Sequence, residues 1–426
     1  MNRKIAPPIK DIGHIALPLP EIVRFGNGSA LYLTYGNSLP VVKIEVVIMA
    51  GRPYETKKII SKLTGRLLKE GTFLKTAQQI SAKVDEYGAS FHTSANLDYI
   101  TLSLHCLQKF LPTLWPLMEE ILLYPSFPER EFKTYTDNSI QRLEIDLTKP
   151  EVLAYRSVTE LIFGSEHPYG YNSTKQLYRE ALREDMVQHH ANTFLPQATK
   201  IHLSGGYSDH DVQIISHTLE NWAITGNTPL IKLPENSNKP EKIHFEIKSS
   251  IQSSLRIGRK MFPRTHPDFD DMFILNTLIG GFFGSRLNMN IREDKGMTYN
   301  IGSSLESLTL DGCLVVMADL SHANISKAIR LIFKEFKKLR EQLVETDELE
   351  QLKRYLIGNL ISSVDGPFNT ASIVKSMIAD NVELSTWDNL IQRIHAITQH
   401  EIKDMAEKYL NPEDFWRVSA GLKSGK

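Results

Sequence analysis

The chain has 426 residues, 41% hydrophobic and 23% charged, with 49 Lys and Arg against 50 Asp and Glu for a formal net charge of −1. That length exceeds one ordinary core and suits two domains of roughly 200 residues. The balanced charge offers no basic excess to draw nucleic acid or an anionic lipid surface, so neither is an expected partner.

Cys106 and Cys313 stand far apart in strand-like stretches. That count excludes a disulfide framework and a cysteine-based zinc site, and two buried free thiols are the expectation. Residues 1–10 carry positive charge with no apolar run behind them, which reads against a secretory signal. No window approaches the roughly 18 uncharged apolar residues of a membrane span. The expected location is cytoplasmic, or periplasmic if a leader has been removed.

In chain order, a short strand and hairpin over 18–33 turn at Gly26, Asn27 and Gly28. A β-branched strand over 41–50 ends in a loop at Gly51. Helices over 57–70 and 76–87 stop at Gly71 and Gly88. Strands over 90–95 and 99–106 follow, joined through Asn96, Leu97 and Asp98. Helical patterns cover 110–123, 129–146, 151–163, 175–192 and 210–222, with a strand over 200–205 before the last. Residues 225–242 are polar and turn-rich, contain three prolines and lack an apolar period, and read as a linker.

Behind the linker the order restarts. A strand over 253–262 matches 41–50, and a helix over 268–279 follows. Hairpin strands over 299–308 and 312–319 match 90–106. Helices over 323–343 and 346–363 match 110–123 and 129–146, the second opening on Thr346, Asp347 and Glu348 as an N-cap pattern. Helices over 369–380, 387–397 and 399–410 precede a last strand over 415–420. The reading is an α+β tandem duplication: two homologous domains, 1–224 and 243–426, each a mostly antiparallel sheet packed by helices.

The most specific stretch is 280–299. Gly280, Gly281 and Gly284 close a helix and allow a close, tightly turned backbone. Arg292 and Tyr299 follow, seven positions apart. A guanidinium with a fork of donors and a phenol donor can together hold a peptide carbonyl, or the negative charge that develops on it in hydrolysis. Taken alone, these residues are more simply a helix end and a surface turn with Arg292 in a salt bridge. The glycines are no dinucleotide fingerprint, because they follow a helix rather than a strand.

The 14 histidines are scattered. His189 and His190 are adjacent, so their rings diverge on a helix, which suits a solvated or capping role better than a metal. His395 and His400 are five apart, the wrong spacing for one helix face. The basic stretch 327–340 reads as a solvated helix face.

This order of elements resembles the pitrilysin/insulinase-type zinc metallopeptidases, which include the mitochondrial processing peptidase, over nearly the whole chain. The residues that carry the resemblance are Gly71 and Thr72 after a helix, the stretch 88–95, His167 to Gly170, Phe194 to Pro196, and 280–299 with Arg292, Gly296 and Tyr299. Active members carry His-x-x-Glu-His on the first helix, where two His grip zinc and the Glu polarises its water. The resemblance puts those three positions at Lys62, Gly65 and Arg66, with the third ligand near Arg142 or Glu144. Lys and Arg offer no lone pair at neutral pH, and a lone Glu144 cannot rebuild the site. The chain is therefore expected to bind no metal and no cofactor. His92 falls where active members place Asn on a substrate-pairing strand, and reads as packed or partner-facing.

For function, the resemblance implies a non-catalytic subunit of a heterodimeric zinc metalloendopeptidase. Arg292 and Tyr299 would be donated in trans to a zinc-bearing homologous partner. Arg292 would hold a substrate carbonyl and Tyr299 the oxyanion, while the two chains enclose a peptide or unfolded polypeptide. Two alternatives stand beside it: an assembly protein of the respiratory core-subunit type with no role in proteolysis, and a peptide-binding homodimer.

Overall fold

The computed structural model describes residues 16–36, 39–227, 231–234, 236 and 238–422, so part of the expected linker lies outside the described residues. The first half runs β1 (Glu21–Arg24), β2 (Ala30–Tyr35), β3 (Val41–Ile48), α1 (Ile60–Leu67), α2 (Ala77–Glu86), β4 (Ser90–Ala95), β5 (Ile100–Leu107), α3 (Leu111–Leu123), α4 (Glu129–Asp146), α5 (Pro150–Phe163), α6 (Lys175–Glu180), α7 (Arg183–Thr193), β6 (Thr199–Gly205) and α8 (Asp209–Asn221). The second runs β7 (Lys242–Glu246), β8 (Ser253–Met261), α9 (Phe269–Asn276), β9 (Asn300–Ser307), β10 (Gly312–Leu320), α10 (Ile325–Glu341), α11 (Thr346–Ser363), α12 (Gly366–Ala379), α13 (Thr386–Ala396), α14 (Gln399–Tyr409) and β11 (Trp416–Gly421).

The strands form two sheets, ordered β1-β2-β6-β3-β5-β4 and β7-β11-β8-β10-β9. Pairing is antiparallel except for β2 with β6 and β7 with β11, which are parallel. The same order and the same single parallel pair recur, with β1 added at one edge of the first sheet. The α+β duplication expected from element order is thus visible as repeated topology.

Side-chain alternation explains how each sheet is covered on both faces. In β3, Val42, Ile44, Val46 and Ile48 enter the core shared with α1, α3 and α8. Glu45 points to the opposite face, where α12 of the second half lies, and accepts from Lys375 Nζ at 2.6 Å. In β10, Leu314, Val316 and Ala318 enter the core shared with α9, α10, α11 and α14. Cys313 and Val315 face the other way and pack with Ala154, Val158 and Ile162 of α5. Each half therefore covers its partner sheet with one of its own helices. Burying a side chain such as Ile162 there stabilises by about 1.5–3 kcal/mol.

Several expectations need correction. The expected helix over 175–192 is two helices, α6 and α7. Ala181 and Leu182 between them are extended, and the Asp185 carboxylate accepts the Leu182 N–H at 3.1 Å to start α7. The strand β7 begins at Lys242, which the linker reading had included, and its alternating Ile243 and Phe245 were the missed signal. Thr346 is the first helical residue of α11 rather than its cap, and its hydroxyl lies 3.2 Å from Gln399 Nε2. Among the described residues no helix is long and apolar enough to cross a membrane.

Candidate functional site

The helix α1 begins unusually. Ile59, just before it, is in the left-handed region at φ 71°, which a β-branched residue rarely adopts. Its N–H donates to Tyr171 Oη at 3.0 Å, which helps hold the conformation. The Glu55 carboxylate accepts from Ser61 N at 2.7 Å, Ser61 Oγ at 2.6 Å and Tyr171 Oη at 2.7 Å. It thus places negative charge at the helix N-terminus, where the dipole favours it. Burial still pushes this carboxyl above its ordinary range, against those hydrogen bonds.

On α1, Lys62 Nζ donates to Tyr178 Oη at 2.8 Å. Gly65 lies directly against the first sheet, where an added Cβ would sit 2.8 Å from Ala95 Cβ. Arg66 is exposed. On α4, Glu144 is ion-paired with Lys175, and Arg142 is exposed. These residues do not fit a zinc ion: an ammonium and a guanidinium have no lone pair to give, and position 65 has no side chain. Among the described residues no group of three or more His, Cys, Asp or Glu is arranged to hold a metal.

Residues 280–299 are differently built from expectation. The helix α9 runs into a widened turn, Thr277–Gly281, and Phe282 is then extended. None of Gly280, Gly281 and Gly284 has a positive φ. Gly280 is needed for approach instead, since a Cβ there would sit 2.4 Å from Ser303 N on β9. A second widened turn, Asn288–Asp294, carries Arg292. Its guanidinium lies 4.9 Å from the centre of the Phe283 ring and its Nε 3.4 Å from Glu293 Oε1. The Arg292 side chain is 34% exposed, and Tyr299, just before the edge strand β9, is 91% exposed. No hydrogen bond or ion pair among the described residues joins either to Lys62, Gly65 or Arg66.

His167 is buried and structural. It stacks on Phe163 with ring centres 5.2 Å apart, accepts the Tyr169 N–H at 3.1 Å and faces Asp311 of the second half at 3.5 Å. Tyr169 in turn donates to Asp98, whose other oxygen accepts the Thr309 N–H at 3.1 Å. Residues 167–170 therefore help join the halves. His189 and His190 are not solvated. Their Nε2 atoms lie 2.9 Å from the carbonyls of Ala50 and Leu122, and burial pushes both down to about 4. His92 is exposed on the edge strand β4, and His395 and His400 sit on separate helices. Sequence reading passed over Arg52 and Arg156, which share a cavity wall with Lys62. The only local signal for either was an Arg beside Gly51, in the loop after β3.

Two sheets of one repeated topology, with an ammonium, a glycine and a guanidinium at positions 62, 65 and 66 of the first helix, define a class: a duplicated α+β chain with no zinc donor at those three positions. Residues 33–159 match the insulinase (peptidase family M16) model, and residues 181–356 match that of the peptidase M16 inactive domain. The chain belongs to the insulinase, or M16, peptidase family. It is 22% identical over 396 residues to the uncharacterized zinc protease YmxG of Bacillus subtilis, covering 91% of this chain and 95% of that one. It is 25% identical over 179 residues to the probable inactive metalloprotease YmfF of the same organism, 41% of each chain. The crystal structure of a peptidase M16 inactive domain from Pseudomonas fluorescens has the same fold, with a TM-score of 0.86 at 22% identity over 96% of this chain and 99% of that one. A protease from Helicobacter pylori matches with a TM-score of 0.84 at 16% identity over 95% of this chain and 100% of that one.

Proposed function

We propose that this chain is the non-catalytic subunit of a heterodimeric zinc metalloendopeptidase. A homologous partner carries the zinc, and the second half of this chain supplies Arg292 and Tyr299 to the partner's site. The supporting observation is the state of Tyr299: at 91% exposed, a phenol at the lead-in to an edge strand is spent on no packing of its own fold. Among the described residues Arg292 is ion-paired only with its sequence neighbour and lies over Phe283, so its fork is available to a carbonyl. In this reading Arg292 orients the substrate and Tyr299 donates to the oxyanion opposite zinc. One such donor typically contributes about 10²–10³ in rate.

The test is reconstitution. The chain alone should cleave no peptide, and mixing it with a zinc-bearing homologue from the same source should restore cleavage. Arg292→Ala and Tyr299→Phe should each lower turnover by about 10²–10³ while co-elution with the partner is unchanged. Full activity from both variants sinks the proposal.

A further inference from the structure

A cavity of about 270 Å³ lies between the halves, with Arg52, Lys62, Arg156, Phe163, Tyr171 and Glu306 on its walls. Three of these are cations, brought from the loop after β3, from α1 and from α5. None of the three forms an ion pair with a described carboxylate. Arg52 directs Nη1 to the carbonyls of Pro168 at 3.1 Å and Tyr171 at 3.0 Å, and its guanidinium lies 4.2 Å from the centre of the Tyr171 ring. Arg156 directs Nη2 to the Ser173 carbonyl at 2.6 Å, and Lys62 donates to Tyr178 Oη. Carbonyls and a phenol take their hydrogen bonds, while the carboxylates of Glu55, Asp146 and Glu160 act on Arg52, Lys62 and Arg156 only from beyond ion-pair distance. Burial first, and the Arg52 charge after it, hold the Arg156 guanidinium below its ordinary value against the pull of Glu160. The one carboxyl on the wall, Glu306, accepts from Tyr155 Oη at 2.6 Å, and burial pushes it above its ordinary range.

We propose that this cavity binds a carboxylate carried on a small apolar body, the chemistry of a peptide's C-terminal residue. Two guanidinium forks match a planar carboxylate, and a Lys ammonium adds a point charge. Phe163 and Tyr171 put aromatic surface on the wall beside these cations. The volume sits just under the usual range for ligand pockets, which admits one residue rather than a length of chain. The site needs no partner subunit and stands independently of the heterodimer.

Calorimetry on the full chain tests this with four probes: N-acetyl-phenylalanine, its amide, an acetylated tetrapeptide acid ending in Phe, and inorganic phosphate. The free acid should bind about tenfold or more tighter than the amide, and binding should weaken as salt is raised. Arg156→Gln and Lys62→Gln, each checked for native circular dichroism, should weaken the acid about tenfold or more. Binding of the tetrapeptide acid as well as the small acid identifies the ligand as a peptide end; exclusion of the tetrapeptide identifies a free small acid. The proposal is overturned if acid and amide bind alike, if no acid binds up to its solubility limit, or if phosphate binds and the acids do not. It also falls if both folded variants bind the acid as tightly as the native chain.

Discussion

A glycine at position 65 does two things. It leaves no side chain at the position where the family resemblance would put a water-polarising Glu, and it lets α1 settle against the first sheet, where a Cβ would sit 2.8 Å from Ala95 Cβ. The neighbouring Lys62 is engaged by Tyr178. Reverting the motif is therefore more than a change of ligands. Gly65→Glu should destabilise the chain by about 1–3 kcal/mol through overpacking. Urea denaturation reads this directly, and an unchanged midpoint shows that α1 can lift away. That Lys62, Gly65 and Arg66 cannot hold zinc was legible from residue type alone. That Ala95 closes the space over position 65 was not, because the two are thirty residues apart and meet only when β4 lies under α1.

At the scale of elements, helices with one strong apolar period and clear ends were legible, and α4 and α11 carry the bounds expected of them. Misreadings fell where local signals conflict. The run over 175–192 has helical composition throughout, but the Asp185 carboxylate captures the Leu182 N–H and restarts the helix. The strand β7 was hidden by the polar stretch before it. No local signal could say that α5 serves the second sheet and α12 the first. The apolar face of α5 is an ordinary amphipathic face, and which sheet it covers is a matter of chain path. Ile162 is fully buried in that contact. Ile162→Ala should cost about 2–5 kcal/mol. A single cooperative urea transition with a lowered midpoint is expected, whereas an unchanged midpoint means the contact contributes little to holding the halves.

Across the whole molecule, three buried histidines give the protein a pH dependence. His202 on β6 is buried, stacks on Tyr32 with ring centres 4.8 Å apart, and among the described residues neither ring nitrogen has a hydrogen-bond partner. Burial first pushes it down to about 3; Glu45 pulls the other way, and Lys375, Lys43 and Lys200 add to the depression. His189 and His190 are pushed down to about 4 by burial. An unfolded chain protonates these rings below about pH 6.5 while the folded chain leaves them neutral. Stability is therefore fully present above that pH and falls as pH drops toward the folded values. His202→Phe should flatten the slope of unfolding free energy between pH 6 and 4.5 by about one proton, roughly 1.4 kcal/mol per pH unit. An unchanged slope excludes His202 as a source.

The order and period of elements were enough to expect an α+β duplication, motif order and spacing were enough for a resemblance to the family whose models match, and residue type was enough to see that Lys62, Gly65 and Arg66 offer a metal no electron pair. Those properties are local: hydrophobic period, turn chemistry and the presence or absence of a lone pair are written in neighbouring residues. The exchange of α5 and α12 between sheets, the three cations gathered around one cavity and the exposure of Tyr299 emerged only in three dimensions. Each depends on contacts or clearances between segments far apart in the chain, set by how two sheets, each buried on both faces, close on one another.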